Sequence, residues 1–449
     1  MLRSYLKSAL RAIRRAKLFS VINIVGLSLG LTAAVIIGLW VHYQISYDTF
    51  NANANRIYRV TEHFSHGDNS TTLPLTPAPL ATTLKQLPQV EDVVRLNDQG
   101  RDVVLRNGTR EFNESDIFDA DPSLFKIFTF HFLEGSADAA LKDPYSVVLI
   151  EPVARKLFTG KNPIDRTINI GTFNSNHDYK VTGIISPLPG NSQFHPTVII
   201  SRISLPEPKS HSVAEWYQLS WYTYFLLRRG VPVSSVEAQL PRILSQGMGE
   251  QNAEGWKLGI QKLTHIHLHS HLLLEIEPNG NIQTVMIVLS VGIFILLVSL
   301  INFITLSVAR FSDRAKEVGV RKVVGAGRKD LVLRFMAEAV ILSLASGIAA
   351  ISLVEVSLPL FNSISGSSLT LSSSESVLAL LGTLLIGTLA GSYPALFFSS
   401  FKPSPILRKE PLLKPGKSDL RKVLVVIQFS IAVCIVIATI VARGQLTFC

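Results

Sequence analysis

Five stretches of this sequence are apolar for about 20 residues or more, and they constrain the fold before anything else does. They run over about 18–45, 283–309, 331–357, 375–400 and 423–443. About 20 apolar residues in a helix cross the ~30 Å hydrocarbon core of a bilayer, where the backbone must satisfy its own hydrogen bonds. The chain therefore reads as an integral membrane α-helical protein with about five transmembrane helices. Its 47% apolar content is concentrated in these runs.

The charges orient the spans. Ser46–Ile282 carries 21 basic against 25 acidic residues, and the rest of the chain carries 22 basic against 8 acidic. The basic excess lies beside the spans, as the positive-inside rule requires, so the net charge of +10 does not point to nucleic acid. Residues 1–17 hold Arg3, Lys7, Arg11, Arg14, Arg15 and Lys17 with Leu2, Tyr5, Leu6, Leu10 and Ile13 between them. This reads as a cytosolic amphipathic helix on membrane lipid, followed by a retained span rather than a cleaved signal, because the apolar run is too long. Gly26 and Gly30 in that span form a small-xxx-small pair suited to close helix packing.

The hydrophilic segment 46–282 then lies outside. Short strand-like stretches (Arg56–Glu62, Val93–Leu96, Val103–Leu105, Ser146–Leu149, Tyr179–Ile185, Thr197–Ile200, Thr223–Leu227) are interspersed with helical ones (Pro77–Leu87, Pro152–Phe158, Val233–Ser245), which predicts a mixed α+β domain. His265, His267, His269 and His271 alternate through THIHLHSHL. A strand would put all four imidazoles on one face, a weak metal candidate. No Asp, Glu or Cys lies among them, so a structural strand is the reading. The loop 358–374 has no Lys or Arg and fits an outside position, while 401–422 is basic and fits the cytosol. Gly391 and Pro394 lie inside the fourth span, where the proline removes a backbone hydrogen bond and predicts a kink.

Between the second and third spans, residues 310–330 form a dense polar turn with Arg310, Arg314, Glu317, Arg321 and Lys322. Glu317 and Arg321 are four apart and share a helix face, and Gly325 suits the helix end. On charge alone this is a solvated loop that orients two spans. The run Arg314-Ala-Lys-Glu-Val-Gly-Val-Arg-Lys-Val-Val-Gly-Ala326, however, resembles the cytosolic loop of FtsX-like/MacB-type ABC transporter permeases. It meets every fixed position of R-x-x-E-[IV]-G-[IV]-R-[KR]-x-x-G-A. The stretches FSVINIVGLSLGLT, SYDTF…RIYRV and YPALFFSSFKPSPILR resemble other parts of the same family.

That resemblance implies a coupling helix at 310–330 that docks on a cytosolic ATPase through Arg310, Arg314, Glu317, Gly319, Arg321, Lys322, Gly325 and Ala326. It also implies a MacB-type periplasmic domain at 46–282, with an inserted lobe at about 121–196. ATP and Mg would be bound by the partner, since the sequence has no GxxxxGK[ST] loop. The expected location is a bacterial inner membrane, amino terminus inside. A second permease half or a dimer, and a periplasmic adaptor, are the further partners implied. The run LRKVLVVIQFSIAVCIVIATI echoes the chain's opening, so the chain reads as the first unit of a two-unit permease plus one span of the second. The expected function is export of lipoprotein, peptide or amphiphilic substrates. The alternative is a mechanotransmitting regulator of a cell-wall hydrolase, without transport. No nucleophile elbow, HExxH or paired carboxylates support an enzyme, and no catalytic residue or directly bound cofactor is expected.

Overall fold

The computed structural model describes residues 11, 13–66, 69–100, 103–160, 162–171, 176–205, 213–309, 318–399, 422–423, 425–433 and 437. The chain divides into two compact units, Met1–His42 with Gln283–Cys449, and Tyr43–Ile282.

Helix α1 (Lys17–Ile45) leads into the large domain. Its first half holds β1 (Ile57–His66), β2 (Asn69–Leu73), β3 (Thr76–Pro77), α2 (Ala78–Lys85), β4 (Val90–Asp98), β5 (Val103–Asn107), β6 (Arg110–Glu114), β7 (Ile117–Ala120), α3 (Leu124–Ile127) and β8 (Phe132–Gly135). The second half holds β9 (Ser146–Ile150), α4 (Glu151–Phe158), β10 (Thr167–Gly171), β11 (Asn176–Ile185), β12 (Val198–Ser201), α5 (Val213–Trp216), β13 (Leu219–Leu227), α6 (Ser234–Glu237), α7 (Leu240–Met248), β14 (Trp256–Lys262) and α8 (Leu263–His269).

The strands join one mixed sheet in the order β14-β1-β13-β4-β7-β12-β9-β11-β10-β5-β6, with β2 on β1, β3 on β13 and β8 on β11. Pairs β9–β11 and β7–β12 are parallel, and the other pairs are antiparallel. Period-two alternation divides the side chains between two faces. Val94 and Leu96 of β4, Val148 of β9, Ile199 of β12, and Tyr222, Tyr224 and Leu226 of β13 pack into one apolar layer. On the other face, Val147, Leu149, Val198 and Ile200 meet Val153, Ala154, Leu157 and Phe158 of α4. Val60, Val93 and Phe225 meet Leu80 and Leu84 of α2 and Leu240 and Leu244 of α7. Helix α4 shows why the sequence folds so locally. Pro152 is placed at its start, the four apolar residues lie at i, i+1, i+4 and i+5, and Thr159 ends it in the left-handed region at φ 38°.

Two apolar clusters on that second face are separated by a buried polar seam. Asp121 accepts from Arg95 Nε at 2.8 Å and Nη2 at 2.9 Å, and Arg202 approaches it at 3.2 Å. Trp221 lies against both guanidiniums, 6.0 and 5.4 Å away. Asp119, buried nearby, accepts from Gln99, and burial pushes its carboxyl up to about 7 against the pull of Arg202.

Strands on both sides of the expected lobe boundary of about 121–196 share one core. Strands β5, β6, β7 and β12 fall outside that range, yet Val103, Leu105, Ile117 and Val198 share a core with Val147 and Val181. Strand β5 pairs with β10 across Asn169↔Arg106, so chain order and spatial order diverge here.

After the domain come α9 (Ile282–Ala309), α10 (Arg328–Ser365) and α11 (Ser373–Ser399). With α1 they are four helices long and apolar enough to cross a membrane. Helix α10 runs past the expected end of the third span at 357, through Pro359 to Ser365, where Gly366 at φ 65° stops it. Residues 366–372 then join it to α11. A proline removes one helical hydrogen bond without ending the helix in a spanning segment. Residues 1–10, 310–317 and 401–421 lie outside the described residues, as do 424, 434–436 and 438–443 of the expected fifth span, where 423, 425–433 and 437 are helical.

Candidate functional site

The segment between α9 and α10 is described from Val318 onward. Residues 318–323 are helical, and Gly325 at φ 99° reverses the chain. The Ala326 amide reaches back to the Arg321 carbonyl at 2.9 Å and the Gly325 amide to Lys322 at 3.1 Å. Only glycine takes that conformation freely, so Gly325 fixes the end of this helix. The Asp330 carboxylate then accepts from the Gly327 amide at 3.2 Å at the start of α10.

This short helix has a buried side and an exposed one. Val318 is 2% exposed and Gly319 is buried, whereas Val320, Val323 and Val324 are 55%, 63% and 82% exposed. These three valines recur at i, i+3 and i+4, which places them on one face. Arg321 is exposed beside them. Lys322 turns the other way and donates to the Ser399 carbonyl at 2.7 Å, while Arg328 Nε reaches Ser399 Oγ at 3.4 Å. Two cations at the C-terminal end of α11 suit its negative dipole end. They also fix the segment to that helix. Partial burial, with the Arg328 charge beside it, lowers the Lys322 ammonium below its usual range. Arg310, Arg314 and Glu317 lie outside the described residues. The exposed valine row was not singled out at the sequence level, although its i, i+3, i+4 spacing was the signal that could have found it.

The glycines are placed at helix contacts. A Cβ on Gly30 would come within 1.9 Å of Ser299 Oγ on α9, and one on Gly26 would stand 3.4 Å from Asn302. A Cβ on Gly391 would come within 2.5 Å of Ala339 on α10, and Gly387, one turn earlier, is even closer to Ser343. Pro394 is buried inside α11, which continues to Ser399. Leu27, Leu31, Phe303, Ala339, Leu342, Ala350 and Ala390 form the apolar centre of this unit. Small residues let backbones approach where lipid supplies no hydrophobic drive.

The histidine reading is corrected. His265, His267 and His269 belong to the helix α8, not to a strand, so the alternation does not put them on one face. His267 points inward, its ring stacked on Tyr47 at 3.3 Å and its Nε2 2.6 Å from Gln44 Oε1. Burial pushes it down to about 4, so it is neutral and Nε2–H donates. His265 and His269 face solvent one turn apart, ring centres 5.5 Å from each other, and His271 follows the helix. Among the described residues no group of three or more His, Cys, Asp or Glu could hold a metal ion.

Two family models match the chain in register with this geometry. The MacB-like periplasmic core domain matches residues 20–243, and the FtsX-like permease C-terminal model matches residues 289–403, which includes the valine-bearing helix and α10. The chain belongs to the FtsX-like, MacB-type ABC transporter permeases. Among curated relatives, a macrolide export ATP-binding/permease protein MacB from Bdellovibrio bacteriovorus is 28% identical over 58% of this chain and 38% of its own length. A MacB from a Shewanella species is 23% identical over 74% of this chain and 48% of its own. The pyoverdine export ATP-binding/permease protein PvdT of Pseudomonas putida is 24% identical over 60% and 39%. The chain thus spans less than half the length of these relatives. It is a membrane permease of this family with a large extracytoplasmic α+β domain.

Proposed function

We propose that this chain is the membrane subunit of an exporter, inserted in a bacterial inner membrane with its amino terminus in the cytosol. An ATPase that is not encoded in these 449 residues binds ATP and Mg. It docks on the segment 310–330 and drives movement of the large domain through α1 and α9. Lipoproteins, peptides or amphiphiles are the substrate class, in keeping with relatives named for macrolide and pyoverdine export. A second permease half and an extracytoplasmic adaptor complete the assembly.

The observation that carries this reading is the exposed row Val320, Val323 and Val324 on a short helix fixed between two spans. Burying one such side chain in a partner's groove contributes about 1.5 kcal/mol. Three side by side, next to Arg321, make a compact docking face.

The test is co-purification of an ATPase with the full chain from native membranes. Val320→Asp with Val324→Asp should leave the protein inserted and cut ATPase recovery at least about tenfold, the effect of losing 1.4 kcal/mol or more. Glu317→Ala with Arg321→Ala should act in the same direction. Unchanged recovery in both double variants refutes the docking assignment.

A further inference from the structure

The large domain joins the spans through two short connections, one after α1 and one before α9, and a single loop touches both. On the first side, Tyr43 donates from its hydroxyl to the Gly190 carbonyl. Asn191 donates from Nδ2 to the Ser46 carbonyl at 3.0 Å, and its own carbonyl accepts from the Asp48 amide at 2.8 Å. Asp48 is fully buried in the left-handed region at φ 58°. Its Oδ1 accepts from the Gln193 amide at 3.1 Å and Ser192 Oγ at 3.3 Å. On the second side, His195 Nδ1 is 2.6 Å from Glu277 Oε1, five residues before α9 begins. The other ring nitrogen is 3.0 Å from the Pro189 carbonyl.

We propose that the loop Pro189–His195 is a clasp that holds the connection leaving α1 and the connection entering α9 to one point of the domain, with Asp48, His195 and Glu277 as its positioning residues. The inference deepens the permease reading and rests on it for its purpose, because an element that ties both connections together lets neither move alone. The chemistry is specific. Both ring nitrogens of His195 face acceptors, a carboxylate and a carbonyl, so the doubly protonated ring satisfies both and a neutral ring leaves two lone pairs opposed.

The titratable groups around the clasp are Tyr43, Tyr47, Asp48, His195, His267 and Glu277. Burial alone would lower the His195 imidazolium, but the Glu277 carboxylate, the Pro189 carbonyl and Asp48 together raise it above its usual range. Burial pushes the Asp48 carboxyl up to about 7, opposed by the Gln193 amide, Ser192 and the His195 charge. Tyr47 is raised by burial and by Tyr43, Glu277 and Asp48, and so remains neutral. Both raised groups favour the protonated form in the closed clasp. The Asp48 contribution therefore erodes as pH rises from 3.8 to about 7, and the His195 contribution is lost as pH rises through its raised value, so the clasp weakens between pH 6 and pH 8.5.

The test is hydrogen exchange on the full chain in lipid nanodiscs, at pH 6 and pH 8.5, normalised for intrinsic exchange. The reporters are the amides of Asp48 and Gln193, with Val148 and Ile199 as core controls. Wild-type protection of the reporters should fall between the two pH values. Glu277→Gln should speed both reporters about tenfold at pH 6, the usual consequence of losing a charged hydrogen bond, and leave the controls unchanged. Asp48→Asn keeps an acceptor but cannot ionise, so it should hold more protection at pH 8.5 than the wild type does. Exchange at Asp48 that ignores Glu277→Gln, or wild-type protection that does not change with pH, overturns the clasp. ATPase recovery on the same samples separates the two ideas: wild type that binds no ATPase refutes the permease reading, whatever the exchange shows.

Discussion

Replacing Glu275 with Gln removes the carboxylate that neutralises a guanidinium shielded from water. The Arg59 side chain is 0% exposed and that of Glu275 is 8% exposed. Arg59 donates to Glu275 at 2.5 and 2.9 Å, to Gln261 Oε1 at 2.6 Å and to Ser270 Oγ at 3.2 Å. Ser270 in turn donates to Glu275 at 2.5 Å. Breaking a buried pair from one side costs about 3–5 kcal/mol, since the remaining charge stays buried. Glutamine keeps one acceptor, so the lower end, about 3 kcal/mol, is expected. For a domain of this size that lowers the melting temperature by about 6–12 °C. Melting of the detergent-solubilised chain can be followed by the fluorescence of Trp216, Trp221 and Trp256. The double variant Arg59→Met with Glu275→Leu, which removes both charges, should be more stable than Glu275→Gln. Single variants that each cost under about 1 kcal/mol and add in the double would refute the claim that Arg59 and Glu275 act as a coupled buried pair.

Other expectations follow from single features. Glu62 is fully buried, has no hydrogen-bond partner among the described residues, and is pushed up to about 8 by burial alone. Its contribution is intact below pH 4.5 and erodes up to pH 8, by as much as about 1.4 kcal/mol per pH unit. Glu62→Gln should flatten that slope in urea midpoints measured at pH 5 and 8.5, and a wild-type slope unchanged by the substitution would count against it. Gly30→Leu drives a side chain into Ser299 and should cost about 1–3 kcal/mol, read as loss of the monodisperse peak on heating in detergent. A heating profile like that of the wild type would show that α1 and α9 separate without penalty.

The sequence carried much of this architecture because its strongest signals are local. Apolar run length marked α1, α9 and α11, and the apolar spacing of residues 152–158 marked α4. Strands β4, β9, β12 and β13 carry dense β-branched and aromatic residues and were legible for that reason. Strands β6, β8 and β14 were not: FLEG and WKLGIQK owe their pairing to partners distant in the chain, and REFNE, though in a hairpin with β5, is too polar to show a strand pattern. THIHLHSHL misled because alternation over so few residues fits a strand, while Leu263, Ile266 and His267 follow a helical spacing into the core. At the candidate site, the polar residues drew attention by charge. The valines there carry no such mark, and their exposure depends on which side of the helix meets Ser399.

The single sheet has a mechanical consequence. With eleven strands in its main path and about 4.8 Å between neighbours, it extends about 48 Å from β14 to β6. The chain enters this sheet at β1 and leaves it from β14, neighbours at one edge, and the β5–β6 hairpin closes the other. Within the domain, a rotation of about 5° about the first edge would displace the hairpin by about 4 Å. Ladder hydrogen bonds run from one edge to the other, with register shifts only at places such as Val181/Gly183 and Leu226/Leu227.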